Sequence, residues 1–268
     1  MGKKMTMLIM SCDKFSDLWD GHVKLLEENW PDRDMETYIV TDAETSKCFE
    51  NVKIISAGDT VGWSERLAYA LNYVDTEYVF ITLDDYFLIK KVDNARIKAL
   101  AEMMTKENAD YIRIFHHPHR ATGKRLESYT GLYEIDTTYT YSVNLYPGIW
   151  RKSFLEKALE KPRNPWQLEV SLAKTARDND ATCVVDLKKD FRILDVVRKG
   201  KLLHKAAAYF KKHPELYCGS REVNLWSYEI KLGIRSFGVE YAPLPIVNWA
   251  RNFMIRRGHH YFSQEAEK

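Results

Sequence analysis

The chain has 268 residues, 45% of them hydrophobic and 29% charged, with a formal net charge of +2. That length suits one large domain or two small ones with a substantial core, and a near-neutral balance argues against a dedicated nucleic-acid binder. The four cysteines, Cys12, Cys48, Cys183 and Cys218, form no CxxC pair, so no zinc ribbon or redox motif is indicated and a reduced, cytoplasmic setting is expected; no stretch reaches the roughly 18 apolar residues of a membrane span.

In chain order, residues 5–12 read as a first strand ending in Ser11-Cys12-Asp13. Ser16 is the expected N-cap of a helix that carries Trp19, Val23, Leu26 and Trp30 on one apolar face and stops at Pro31-Asp32. Residues 35–41 and 52–56 are two further strands, the first ending at Asp42. A helix opens near Gly62 and buries Leu67, Leu71 and Val74, with Arg66 and Tyr69 on other faces. Residues 78–83 form a short β-branched and aromatic run, suited to a strand buried on both faces. Asp93 or Asn94 then caps a helix with Ile97, Leu100, Ala101 and Met104 inward, and residues 110–115 are a strand.

The next segment, His116-His117-Pro118-His119, has three histidines in four residues. Adjacent histidines on an extended chain point to opposite sides and no Cys or carboxylate cluster is near in sequence, so no metal site is assigned there. Residues 137–146 alternate as a strand does, Pro147-Gly148 breaks it, and a helix is expected over 153–161. Asn164, Pro165 and Gln167 form the N-cap, first position and N3 of a capping box. Glu169 therefore lies early in a well-defined helix that turns Leu168, Leu172 and Ala176 inward. Residues 181–186 and 191–197 are two more strands, followed by the basic run Arg198-Lys199-Gly200-Lys201-Leu202-Leu203-His204-Lys205. Beyond it the βα rhythm stops, and the chain is partly helical, aromatic and basic. Alternating strands and helices predict an α/β fold with a largely parallel sheet.

Two adjacent carboxylates, Asp84 and Asp85, end the strand at 78–83. Open α/β sheets bind ligands at that end of their strands, and paired hard oxygen ligands suit Mg²⁺ or Mn²⁺ with a diphosphate. The alternative is a solvated strand-to-loop turn, for which Asp is also common.

The first strand, Gly62-Trp63-Ser64-x-x-Leu67, Leu83-Asp84-Asp85-x-Phe87 and Pro165-Trp166-x-x-Glu169, in that order and spacing, together resemble the GT-A-fold glycosyltransferases. Bacterial enzymes that build capsule or lipopolysaccharide are the nearest group, and the resemblance covers about residues 5–205. It implies a GT-A (Rossmann-like) single domain over 1–205, with a mixed, mainly parallel central sheet, and a helical C-terminal extension over 206–268 packed on it. It implies transfer of a sugar from a nucleotide diphosphate-sugar, UDP being the commonest choice, to a saccharide or lipid-linked acceptor, with inversion. The family's DxD motif corresponds to Leu83-Asp84-Asp85, so Asp85 would hold Mn²⁺ or Mg²⁺ and Asp84 would contact sugar or ribose; Leu83, in place of the first carboxylate, departs from the motif. Ser11, Cys12, Asp13 and Asp42 would surround base and ribose, Arg66 would reach the phosphates with Trp63 beside it, and Lys201 or His204 would close over the diphosphate. Glu169 would be the general base, and Trp150 and Trp166 would stack on acceptor sugar.

Each residue has a second reading. Glu169 is otherwise a solvated helix carboxylate, Arg66 a surface partner of Glu65 or Glu77, the tryptophans core, and Lys201 and His204 part of an ordinary basic loop. Two other function classes compete: a sugar nucleotidyltransferase, against which no Gly-rich phosphate loop follows the first strand (the first glycine after it is Gly21), and a non-catalytic carbohydrate-binding or scaffold protein. In the C-terminal extension Arg251, Arg256 and Arg257 with Trp249, Phe253, Tyr261 and Phe262 compose a basic, aromatic surface for peripheral contact with the inner membrane face, or else a flank packed on the domain or an oligomer contact.

Overall fold

The computed structural model describes residues 5–115 and 119–258. His116, His117, Tyr261 and Phe262 lie outside that range. The chain forms β1 (Met5–Met10), α1 (Trp19–Asn29), β2 (Glu36–Thr41), β3 (Lys53–Ser56), α2 (Trp63–Ala70), β4 (Tyr78–Leu83), β5 (Tyr86–Leu88), α3 (Asn94–Lys106) and β6 (Tyr111–Arg113). It continues through β7 (Thr122–Arg125), β8 (Leu132–Ile135), β9 (Gly148–Arg151), α4 (Lys152–Ala158), α5 (Pro165–Asp178), β10 (Cys183–Asp186), β11 (Ile193–Asp195), β12 (Val197–Arg198) and β13 (Lys201–Leu202). Three helices close it: α6 (His204–Lys212), α7 (Trp226–Tyr241) and α8 (Leu244–Arg256).

Nine strands form one sheet in the order β3-β2-β1-β4-β9-β6-β10-β8-β7. Only β8 and β9 run against the others, so the sheet is mixed and mainly parallel. The alternation along β1 explains the layering. Leu8 and Met10 join a core under α2, α4 and α5, whereas Met7 and Ile9 join a second core under α1 and α3. Trp19, Val23, Leu26 and Trp30 all lie in that second core, as their helical spacing requires. Strand order reverses between β1 and β4, whose ends are level because Met10 pairs with both Val40 and Leu83. The loops after β1, β2 and β4 therefore converge at one switch point.

Several local expectations fail for identifiable reasons. Ser16 caps nothing: residues 13–18 form a 3₁₀ turn, and α1 starts at Trp19 without a side-chain cap. Residues 137–146 are turns rather than a strand, with Tyr141 at φ 64°. The strand in that region is β9, directly after Pro147. A side chain at Gly148 would meet the Ile112 carbonyl oxygen at 2.7 Å, so this glycine permits close strand packing instead of ending a strand. β7 is short and polar and β8 has only four residues, so neither carries an apolar alternation long enough to announce it. Ala206 and Phe210 of α6 are buried with Leu18, Leu25 and Phe87 in a third cluster, so the packed body extends past residue 205.

Candidate active site

Asp84 and Asp85 stand at the switch point and have different surroundings. Asp84 is buried and accepts a hydrogen bond from the Ser11 hydroxyl, whose oxygen in turn accepts one from Trp19 Nε1 at 2.7 Å. The Asp84 carbonyl lies 3.1 Å from His22 Nδ1. A carbonyl only accepts, so Nδ1 carries the hydrogen; burial pushes His22 down to about 4 and keeps the ring neutral. Burial, then the neighbouring Asp85, push the Asp84 carboxyl well above the usual carboxylate range. Asp84 is thus held rigidly from β1 and α1.

Asp85 is less committed. Its Oδ1 is buried and has no hydrogen-bond partner. Burial, then the nearby Asp195, raise it to about 7, against the opposing fields of Arg198 and Arg221. Antiparallel pairing of β5 with β11 sets Asp195 opposite Tyr86, and Val196 N–H donates to the Asp85 carbonyl at 2.9 Å. Asp195 Oδ1 is also buried and unpartnered, while its Oδ2 accepts from Arg198 Nε and a terminal guanidinium nitrogen at 3.0 and 2.6 Å. The Asp195 charge acts on Asp85, and the orphaned carboxylate oxygen on each is a hard donor. Mg²⁺-like ions use one or two protein carboxylates and complete their shell with phosphates and water. Among the described residues no group of three or more His, Cys, Asp or Glu is placed to hold a metal, so the substrate would have to supply the rest.

Arg198 unites the site. Its charge acts on Asp85, Asp195, Tyr86, Tyr146 and also Glu169. Glu169 lies in the first turns of α5, where the capping box forms as its residues demand: Gln167 N–H to Asn164 Oδ1 at 2.9 Å and Asn164 N–H to Gln167 Oε1 at 3.1 Å. Glu169 Oε1 accepts from Leu145 N–H at 3.1 Å, and burial raises its carboxyl above the ordinary value despite that bond and Arg198. It is not a freely solvated helix carboxylate. The Tyr86 and Tyr146 rings stack at 5.8 Å and 18° beside it and Asp85.

The remaining expected residues divide. Arg66 reaches from α2 to donate to the Ser11 carbonyl and approaches Asp42 at 3.7 Å, leaving its buried Nε unpartnered. It pairs with neither Glu65, which caps Gly62, nor Glu77, which pairs with Arg151. Asp42 accepts from Asp13 N–H at 2.7 Å; burial raises its carboxyl, but that amide and Arg66 together leave it below the usual value. Cys12 is half-buried in this corner, its thiol raised by burial, then by Asp84 and Asp42. Trp63 is partly buried against the core.

Lys201 is instead paired with Glu222 at 2.7 Å, and His204 Nδ1 with Glu229 at 2.7 Å while its ring stacks on Trp226 at 3.7 Å. Each has an acidic partner of its own, and the Glu229 charge also acts on Asp195. The cations whose fields reach Asp85 are Arg198 and Arg221, and Arg221 also bridges Asp17, at 2.7 Å, to the Gly200 carbonyl at 3.2 Å. Trp150 is 0% exposed, packed between Tyr111 and Phe154, and has no face to offer a sugar. Trp166, 59% exposed, sits three residues before Glu169 on the same helical face. Sequence reading missed Asp195, Arg198, Arg221, Tyr86 and Tyr146; an acidic residue inside the apolar run at 193–197 with an arginine three residues on was the available signal.

No family model and no curated protein matches the chain. Solved structures do. The chain is similar to S. aureus TarS at 15% identity and TM-score 0.50, over 70% of this chain and 36% of that one. It is also similar to the mannosyltransferase PcManGT from Pyrobaculum calidifontis, solved with GDP-Man and Mn²⁺, at 11% identity and TM-score 0.50, over 98% of this chain and 83% of that one. The fold is GT-A-like. The chain spans about a third of TarS, and identities this low speak for the GT-A-like fold alone. A UDP-glucose pyrophosphorylase complexed with UDP-glucose matches at 12% identity and TM-score 0.46, over 71% and 91% of the two chains. In this GT-A-like frame Asp85 follows the fourth strand at the switch point, and the Arg198 charge acts on both Asp85 and Glu169.

Proposed function

We propose that the chain transfers a sugar from a nucleotide diphosphate-sugar to a hydroxyl of a saccharide or lipid-linked acceptor. The observation that carries this reading is the pair of orphaned oxygens on Asp85 and Asp195, set at the switch point and sharing Arg198 with Glu169. The β1 end, Asp42 and Arg66 form the floor for base and ribose, and Asp84, locked by Ser11, orients the sugar or ribose. Asp85 and Asp195 are the residues that would hold Mn²⁺ or Mg²⁺. Such an ion supplies charge neutralisation for the leaving diphosphate. Arg198 adds a fixed cation in a partly dry site, where it acts more strongly than in water. Glu169, raised above the ordinary carboxylate range, takes the proton of the attacking hydroxyl. Trp166 gives that acceptor an aromatic face. Attack by a hydroxyl activated across the site from the diphosphate is a single displacement, inverting at the anomeric carbon; an NMR assignment of retained stereochemistry would remove that step.

The test is calorimetric titration with UDP, GDP and CDP, with and without Mn²⁺. Metal-dependent binding of one nucleotide, lost in Asp85→Ala, supports the reading and names the donor class. GDP-mannose is the first donor to assay if GDP binds, since PcManGT was solved with it. Binding of none of the three returns the chain to the carbohydrate-binding or scaffold alternative. Formation of a nucleotide-sugar from a nucleoside triphosphate and sugar phosphate would establish the nucleotidyltransferase instead.

A further inference from the structure

Among the described residues, the two glutamates of helix α7 fasten it near its two ends. At the N-terminal end Glu229 Oε1 accepts from the His204 backbone N–H at 2.9 Å and from Nδ1 at 2.7 Å. At the C-terminal end Glu240 accepts from the backbone N–H groups of His119 and Arg120, and Arg120 donates to the Ala242 carbonyl. No residue of α7 is buried. Trp226, Ile230, Ile234, Phe237 and Tyr241 recur at i, i+4, i+8, i+11 and i+15 and are 57–69% exposed. At 100° per residue they fall within a sector of roughly 80°, a continuous apolar stripe along a helix about 24 Å long. On α8, Ile246, Trp249 and Phe253 make a second exposed stripe at i, i+3 and i+7, with Trp249 stacked on Phe253 at 5.7 Å and the Arg257 guanidinium 4.6 Å above the Phe253 ring.

A stripe of this kind is too large to leave in water without a partner. Its charge surroundings select one. Both acidic residues of α7 are turned into the internal bonds above, while Lys231 of α7 and Arg256 and Arg257 at the end of α8 are exposed near the stripes. Tryptophan and tyrosine with flanking cations suit the boundary between acyl chains and anionic headgroups. The exposed charges of these two helices are all basic, so a two-fold pairing of this face with itself would bring positive charge to both sides of the contact. Among the described residues no helix is long and apolar enough to cross a membrane, so the fitting geometry is helices lying in the interface plane.

We propose that α7 and α8 dock the chain onto an anionic lipid surface, inserting Trp226, Ile230, Ile234, Phe237 and Tyr241 of α7 with Trp249 and Phe253 of α8 at the headgroup boundary. The inference stands without the transferase reading.

The experiment is co-sedimentation of the full chain with vesicles of phosphatidylcholine alone and of phosphatidylcholine with one-quarter phosphatidylglycerol. The expected result is binding to the anionic vesicles, weakened by 0.5 M salt and reduced at least tenfold in Ile234→Glu and Phe237→Glu. The triple charge reversal of Lys231, Arg256 and Arg257 to Glu reduces it likewise. Circular dichroism of each variant matches the parent. Failure of the parent to bind either vesicle, or parent-like binding by the two Glu variants, overturns the proposal. A dimer in sedimentation that Phe237→Glu dissolves also overturns it, by making the face a self-interface. Nucleotide titration of the same variants reports on the donor site separately, so failure of docking is not confused with failure of the transferase reading.

Discussion

The end of β4 keeps in the interior carboxylates that water would solvate better, whereas α7 leaves in water the side chains that an interior would take. Asp84, Asp85, Asp195 and Glu169 are all raised by burial, and the apolar stripe from Trp226 to Tyr241 stays 57–69% exposed. The first arrangement costs stability in the isolated chain and the second forgoes the stabilisation that burial would give, and each is answered by something that is not the chain: a cation and diphosphate in the first case, a lipid surface in the second. The nature of the misplacement points to the chemistry of the missing partner. It also separates the two regions experimentally, since a change in one should leave the other alone.

The largest expected effect is on turnover. Glu169→Gln should lower kcat by about 10²–10⁴-fold, the usual span for a general base, and leave nucleotide affinity unchanged in the titration; unchanged kcat would remove Glu169 from the mechanism. Because the group is raised, the acid limb of the pH–rate profile should lie above the ordinary carboxylate range, with activity rising as pH increases through it. Next in size is the contrast between two tryptophans. Trp150→Ala should cost about 3–5 kcal/mol of stability, as expected for emptying a core site. Trp166→Ala should stay within about 0.5 kcal/mol and raise the acceptor KM; denaturant unfolding and steady-state kinetics measure the two halves.

Asp85→Asn tests the buried carboxylate by linkage. A folded pKa of about 7 against an unfolded value near 3.9 means that the native state binds the extra proton between those limits. Stability contributed by the parent group therefore falls as pH rises through 7. Metal-free Asp85→Asn should melt higher than the parent at pH 8, and the gap should narrow as pH drops toward 5. Adding Mn²⁺ with nucleotide should reverse the order in favour of the parent. Equal melting points at pH 8 would mean that Asp85 is satisfied in a way that its bare Oδ1 does not suggest. The smallest effect is the most telling for the other region. Ile234→Glu should change stability by less than about 0.5 kcal/mol, because the side chain is already in water, while vesicle binding drops.

Local pattern was enough for much of the frame. The apolar spacing of Trp19, Val23, Leu26 and Trp30, the capping box at Asn164, and the run at 78–83 closed by Asp84-Asp85 each encode their element within a few residues. Those signals carry the α/β layers, the switch point and the placing of Glu169 on α5. What they could not carry was pairing between distant segments. Register between β5 and β11 brings Asp195 to Asp85, and Arg198 follows because it lies one turn of chain further on. Likewise the burial of Trp150, the neutralisation of Lys201 by Glu222 and the closing of His204 on Glu229 depend on where separate elements meet. Gly148 shows the same limit: beside a proline it reads as a break, yet the approach of the Ile112 carbonyl makes it a strand residue. Hydrophobic period and capping are local, so the order of residues specifies which segments are strands and helices over most of the chain. The tertiary structure alone decided which charges share the site and which apolar face stays bare, since burial is set by what packs from elsewhere in the chain.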